Sequence, residues 1–168
     1  QSREPDCAGK PLAMLMLDID FFKRVNDRWG HASGDHVLVA LADVLRHNLR
    51  ENDLPARLGG EEFAVLLPGA TLAEAAATAE RLRAAVQAIA VVPASDAPLP
   101  DAADTGDGRI RFTVSIGVAE AVSDECQTLD AMLATADRRL YAAKEAGRNQ
   151  VRAADAPAGN AAAPPVQG

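Results

Sequence analysis

Six consecutive apolar residues, Leu12-Ala13-Met14-Leu15-Met16-Leu17, end abruptly at Asp18-Ile19-Asp20. An unbroken apolar run with a polar end predicts a central strand buried on both faces. Residues 21–29 then read as a short helix with Asp20 as its N-cap and Gly30 as its stop. A second helix is expected from near Ser33-Gly34-Asp35, because Leu38, Leu41, Leu45 and Leu49 recur at three- and four-residue spacing. Pro55-Ala56-Arg57-Leu58 and Phe63-Ala64-Val65-Leu66-Leu67 flank Gly59-Gly60-Glu61-Glu62. They read as two strands of a hairpin whose glycines supply positive φ. Thr71-Leu72-Ala73-Glu74 is a capping box, with Ala75, Ala79, Leu82, Val86 and Ile89 as the buried stripe behind it.

Residues 93–108, rich in Pro, Ala, Gly and Asp without periodicity, are expected to form a mobile acidic loop. Ile110, Phe112, Val114, Ile116 and Val118 alternate with Arg111, Thr113, Ser115 and Gly117, which predicts a half-buried strand. A last helix over about 128–146 carries Leu129, Met132, Leu133, Ala136 and Leu140 and stops at Gly147. Residues 149–152 can add a short final strand. From residue 153 the Ala/Pro/Gly composition predicts a disordered tail. The order strand, helix, helix, hairpin, helix, strand, helix, short strand predicts an α/β fold, a mixed sheet covered by helices.

Composition narrows the function. The 168 residues, 48% hydrophobic and 4% aromatic, suit one domain with an aliphatic core. A net charge of −7 argues against DNA or RNA binding by general phosphate neutralisation. Cys7 and Cys126 form no CxxC or zinc spacing and read as free thiols of a reducing cytoplasm. No apolar stretch reaches the ~20 residues that span a bilayer, and no signal peptide opens the chain. A cytoplasmic domain without membrane contact of its own is expected, whether or not a longer parent is anchored.

The candidate chemistry sits at the ends of these elements. Asp18 and Asp20, two apart, project from one face if the strand continues through them. With Glu61 on a neighbouring hairpin, oxygens from separate segments could hold a hard cation such as Mg²⁺ together with substrate phosphates. For Asp20 a helix cap is the competing role. Phe21-Phe22-Lys23-Arg24 opens a helix whose free N–H groups suit a phosphate, to which Lys23 can add a charge. Asn26 and Asp35 could read guanine, since a carboxylate accepts from N1–H and the exocyclic amine. Taken alone, they read first as a helix-end residue and an N-cap. Lys144 and Arg148 could clamp a polyphosphate or complement a helix dipole. Arg50 and Asp53, with Arg81 on the next helix, read first as a surface ion pair.

Five stretches together carry a resemblance. They are Leu17-Asp18-Ile19-Asp20-Phe21-Phe22-Lys23-Arg24-Val25-Asn26-Asp27, Gly30-His31-Ala32-Ser33-Gly34-Asp35, Arg57-Leu58-Gly59-Gly60-Glu61-Glu62-Phe63, Thr113-Val114-Ser115-Ile116-Gly117-Val118, and the run from Ala136 through Tyr141 and Lys144 to Asn149. In order and spacing the chain resembles the GGDEF family of diguanylate cyclases, in its GGEEF variant, over residues 12–151. The resemblance implies a palm-like α/β (α+β) domain related to class III nucleotide cyclases, with a central, mostly antiparallel sheet, and a reaction joining two GTP into cyclic di-GMP with release of two pyrophosphates.

It further implies that Asp18, the Ile19 carbonyl and Glu61 hold Mg²⁺, or Mn²⁺, with Glu62 close by. Gly59 and Gly60 would lie against the phosphates. Lys23, Lys144 and Arg148 would bind the triphosphate, and Phe22, Asn26 and Asp35 the nucleoside. Catalysis would need a homodimer. Arg50, Asp53 and Arg81 would bind cyclic di-GMP as an inhibitor. The alternatives are a catalytically weak or inactive domain acting as a cyclic di-GMP or GTP receptor, and a cyclase using adenine, against which Asp35 argues. Residues 1–11 would be the lead-in, 12–152 the domain and 153–168 the tail. Family members carry a helix and an Asp-x-Leu-Thr-Gly-Leu-x-Asn-Arg segment before the first strand. Its lack here suggests a fragment of a longer protein with an upstream regulatory domain.

Overall fold

A computed structural model describes residues 10–95, 97 and 107–155. Most of the acidic loop expected at 93–108, most of the tail expected to be disordered from residue 153, and Cys7 lie outside the described residues. The elements are β1 (Leu12–Ile19), α1 (Phe22–Trp29), α2 (His31–Asn48), β2 (Leu54–Gly59), β3 (Glu62–Pro68), α3 (Leu72–Ala88), β4 (Val114–Glu120), α4 (Leu129–Glu145) and β5 (Val151–Arg152). The sheet runs β2-β3-β1-β4-β5. β1 lies antiparallel to β3 and β4, and β5 joins β4 in parallel. This is the mixed sheet covered by helices that the element order predicts, in the mostly antiparallel, α+β form that the resemblance implies.

Strand parity divides the core. Ala13, Leu15, Leu17 and Ile19 of β1 join residues of α1, α2 and α3 in one cluster. Leu12, Met14 and Met16 face the other way, with Met132, Ala136 and Leu140 of α4. All eight residues of β1 are buried. Pleating therefore sends Asp18 to the α4 side. β2, exposed along its length, is an edge strand and accommodates Pro55 accordingly.

The strand read as half-buried is buried on both faces and runs Val114–Glu120. Ile110 only bridges Val91. Val114, Ile116 and Val118 face the three-helix cluster. The small alternating residues receive α4 rather than water. A Cβ on Gly117 would stand 2.0 Å from the Ala136 carbonyl oxygen and 2.4 Å from the Leu140 nitrogen. The helix backbone therefore rests directly on the strand.

Local caps follow the sequence in part. Thr71 and Glu74 form the expected reciprocal box, and Thr128 accepts from the Ala131 N–H at 3.0 Å. Asp20 does not cap α1. That position belongs to Phe21 in the left-handed region (φ 56°), without a side-chain cap bond. α2 starts at His31, so Asp35 lies inside its first turns and is not an N-cap.

A largely buried polar cluster ties α4 to the end of β4. Arg139 donates to the Val118 carbonyl at 2.9 Å, to both Asp124 oxygens at 2.9 and 2.8 Å, and to Asp155 at 3.2 Å. Buried Glu120 accepts from the Val122 and Ser123 N–H groups and the Ser123 hydroxyl at 2.7–2.9 Å. Burial opposes the charge on Asp124, yet Arg139 and the Glu120 N–H outweigh it and hold that carboxyl below its ordinary value. Arg138 and Arg139 lower Asp155, and Glu120 is lowered despite its burial.

Two outcomes are expected. Carboxyls with depressed folded pKa values stabilise the fold fully above their unfolded values, about 4, and lose that contribution as pH falls through the folded ones. The urea midpoint should therefore fall steeply below pH about 4, and Asp124→Asn should flatten the dependence. Gly117→Ala should cost about 1–3 kcal/mol in urea unfolding, because the atoms it meets are helix backbone that cannot rotate away.

Candidate functional site

The site grows from the carboxyl end of β1. Asp18 stands opposite Glu62 of β3 and Ser115 of β4. Its Oδ2 accepts a hydrogen bond from the Lys144 ammonium, which α4 brings down onto the same face. Its Oδ1 is buried without a hydrogen-bond partner among the described residues. Burial pushes the Asp18 carboxyl up, Lys144 pulls it down, and the charges of Glu61 and Glu62 push it up again, for a net rise. A buried carboxylate with an orphaned oxygen near two further acids calls for positive charge.

The hairpin between β2 and β3 delivers those acids. Gly59 pairs with Glu62, leaving Gly60 and Glu61 at the tip, and Gly60 takes φ 49°, which glycine adopts without strain. The Arg57 Nε donates to the Gly60 carbonyl at 2.9 Å, and the Ile19 N–H reaches the Glu61 carbonyl at 3.3 Å, tying the tip to the end of β1. Cβ atoms built on Gly59 or Gly60 meet nothing within 4 Å. The turn is open above, so a ligand has room to approach the backbone.

Asp20 has a different task. The Thr113 and Ser115 hydroxyls each donate to it at 2.7 Å, and the Asn149 N–H donates at 2.9 Å. The carboxylate thereby binds β4 and the turn after α4 to the end of β1, and its engaged oxygens make it a clamp rather than a metal ligand. In the clamped turn, Gly147, Arg148 and Asn149 all have positive φ. Arg83 holds the Asn149 side chain at 2.9 Å. The Arg148 guanidinium lies 4.6 Å from the Phe21 ring centroid, and that of Arg24 lies 4.0 Å from the same ring. Thr113, Ser115, Asn149, Phe21 and Arg24 carried no assigned role in the sequence reading. Two hydroxyls on alternate positions of an apolar strand were the available signal for the clamp.

Between α1 and α2, half-buried Phe22 and Asn26 adjoin Gly34, where a Cβ would come within 1.9 Å of Asn26 Oδ1. Gly34 thus makes room for the Asn26 amide beside exposed Asp35. Lys23 is turned to solvent and paired with Asp27 at 2.8 Å, away from Asp18, and that bond raises its pKa. At the far end of α2, Asp53 accepts from the Arg50 N–H at 2.8 Å and its guanidinium at 3.3 Å. Arg50 also reaches the Pro68 carbonyl, while Arg81 donates to the Asn48 carbonyl at 3.0 Å. Arg50 and Asp53 are joined, and Arg81 arrives beside them without bonding either.

Among the described residues, no group of three or more His, Cys, Asp or Glu side chains is poised to hold a metal. The donor set fits Mg²⁺ nonetheless. All the donors are oxygens, Asp18 Oδ1 lacks a partner, and Mg²⁺ commonly takes one or two carboxylates and completes its shell with phosphate and water.

Known proteins resemble this chain in sequence and fold. Response regulator PleD of Caulobacter vibrioides is 44% identical over 143 residues, covering 85% of this chain and 29% of that protein. Diguanylate cyclase A of Treponema denticola is 38% identical over 141 residues, covering 83% and 34%. The crystal structure of the GGDEF domain of DgcB from Caulobacter crescentus in complex with c-di-GMP aligns with TM-score 0.73 at 33% identity, covering 86% of this chain and 78% of that one. The chain spans about a third of the length of these two curated relatives. The family model described as diguanylate cyclase, GGDEF domain, matches residues 2–150. The chain therefore belongs to the GGDEF family.

Proposed function

We propose that residues 12–152 form a diguanylate cyclase domain that condenses two GTP into cyclic di-GMP. The observation that carries this reading is Asp18, buried, orphaned at Oδ1 and facing Glu61, Glu62 and Lys144. In this reading Asp18, the Ile19 carbonyl and Glu61 hold Mg²⁺ or Mn²⁺, with Glu62 alongside. When bound, the ion neutralises phosphate charge and polarises the reacting phosphoryl group. Lys23, Lys144 and Arg148 grip triphosphate oxygens, and the open backbone at Gly59 and Gly60 lies against them. Phe22 and Asn26 line the nucleoside cleft, and Asp35 accepts the two N–H donors that distinguish guanine from adenine.

Each 3′-hydroxyl attacks the α-phosphorus of the opposite nucleotide. The bond to the bridging oxygen of the leaving pyrophosphate breaks, and the hydroxyl proton passes to solvent. Two such displacements close the ring and release two pyrophosphates. One domain supplies one nucleotide site, so a homodimer facing across the two sites completes the reaction. The substrate places the work in the cytoplasm. Among the described residues no helix is long and apolar enough to cross a membrane. A regulatory segment elsewhere in a longer protein would control the encounter of the two domains.

At the far end of α2, Arg50, Asp53 and Arg81 make a product site. Two guanidiniums can grip phosphate or the guanine Hoogsteen edge, while Asp53 fixes Arg50. Cyclic di-GMP held there would restrain the dimer.

With GTP and Mg²⁺, the dimeric protein should form cyclic di-GMP, detected by anion-exchange chromatography. Asp18→Asn or Glu61→Gln should lower kcat by about a hundredfold or more, the scale of losing one electrostatic stabiliser. Binding of cyclic di-GMP without turnover by a folded dimer would instead identify a receptor. Calorimetry should show Arg50→Ala weakening cyclic di-GMP binding by about tenfold or more, as loss of a charge-assisted bond implies. Unchanged affinity would return Arg50 and Asp53 to an ordinary ion pair.

A further inference from the structure

We infer that Phe21 is a positioning residue for Arg148, its ring fixing the guanidinium at the triphosphate end of the site. The inference rests on the proposed cyclase reading, in which Arg148 grips GTP. Arg148 follows Gly147 in a turn where both residues have positive φ, and its backbone is held through the Asn149 N–H on Asp20. That clamp fixes where the side chain begins, and four rotatable bonds still separate its Cα from its charge. Beyond the clamp, the Phe21 ring is what the guanidinium meets, 4.6 Å from the centroid. Among the described residues it makes no ion pair.

The ring is there because of an unusual backbone. Phe21 takes φ 56°, a region that bulky residues seldom occupy, directly between the clamped Asp20 and the first turn of α1. Though apolar, it is 45% exposed. An aromatic residue in a left-handed conformation, presented to solvent and met by two guanidiniums, suits holding cations better than filling a core. Its face carries negative quadrupole charge, which attracts Arg148 and Arg24 and offsets their mutual repulsion. A guanidinium paired to a carboxylate would have to break that pair before binding phosphate. One held on a ring keeps its N–H donors free.

The test uses 3′-deoxy-GTP, which lacks the attacking hydroxyl and binds without reacting, in calorimetry with Mg²⁺ alongside GTP turnover. Phe21→Leu keeps apolar bulk without the aromatic face. It should raise the Kd of the analogue and the KM for GTP about three- to fivefold, the scale of one exposed cation–π contact, with kcat little changed. Phe21→Tyr and Phe21→Trp should restore wild-type values. In an Arg148→Ala background the Leu substitution should have no further effect on the Kd. A Leu variant that binds like wild type, or an equal loss with and without Arg148, overturns the inference. If the wild-type protein binds the analogue yet makes no cyclic di-GMP, the cyclase reading fails while the Phe21–Arg148 coupling is still read from the binding cycle.

Discussion

Burial of β1 on both faces is the constraint on which the other features depend. A strand covered by three helices on one side and α4 on the other has no solvent edge along its length, so its polar residues gather where it ends. The pleat then decides which side each acid faces. Asp18 falls in the α4 series and meets Lys144; Asp20, one repeat further, meets Thr113, Ser115 and Asn149. Two acids of the same type, two residues apart, thus acquire unlike chemistry. One has every oxygen engaged, and the other keeps an oxygen without a partner in a desolvated corner. An unsatisfied buried acceptor costs about 1–3 kcal/mol, a stability loss tolerated where function uses the group.

The close approach of α4 to β4 gives the corner its shape. Gly117 lets helix backbone touch strand backbone, which draws the carboxyl end of α4 over the end of β1. Lys144 can reach Asp18 because that separation is small, and the turn after α4 falls within reach of Asp20. Five positions before Lys144, Arg139 is locked by Asp124 and Asp155. A helix held at two points by ionic contacts has little freedom to slide. That rigidity keeps Lys144 in register with Asp18. Although the chain carries net charge −7, its cations at this corner are gathered by local contacts, so the global sign does not govern the site.

What the sequence disclosed follows the range of the interactions. The apolar run of β1, the capping box at Thr71 and Glu74 and the glycine hairpin are local, and each formed where residue patterns placed it. Asp20 looked like a cap because capping is a local rule. Its real partners lie 93 to 129 positions away, and no periodicity reports them. β4 looked half-buried because Thr113, Ser115 and Gly117 resemble a solvated face. Small residues equally serve close packing, and only the arrival of α4 distinguishes the two. Arg139 drew no reading from the sequence, because the partners that enclose it, Asp124 and Asp155, come from other segments. Asp18, Glu61, Glu62 and Lys144 were legible as a set by resemblance, while the Lys23–Asp27 pairing on the exposed face of α1 was not.

The Asp20 clamp also bears on how the domain comes into being. It joins the end of the first strand to residues near the last, so the loops it closes are among the longest the domain contains. Such closures carry a high entropic cost and come late in folding. During synthesis, β1 emerges first and waits with its acids uncompensated while more than a hundred residues follow. A chain that has not yet delivered Asn149 has β1, the hairpin and most of its helices, but nothing to hold the turn bearing Arg148. The turn that carries Arg148 is thus tied down only with the final stretch of the domain.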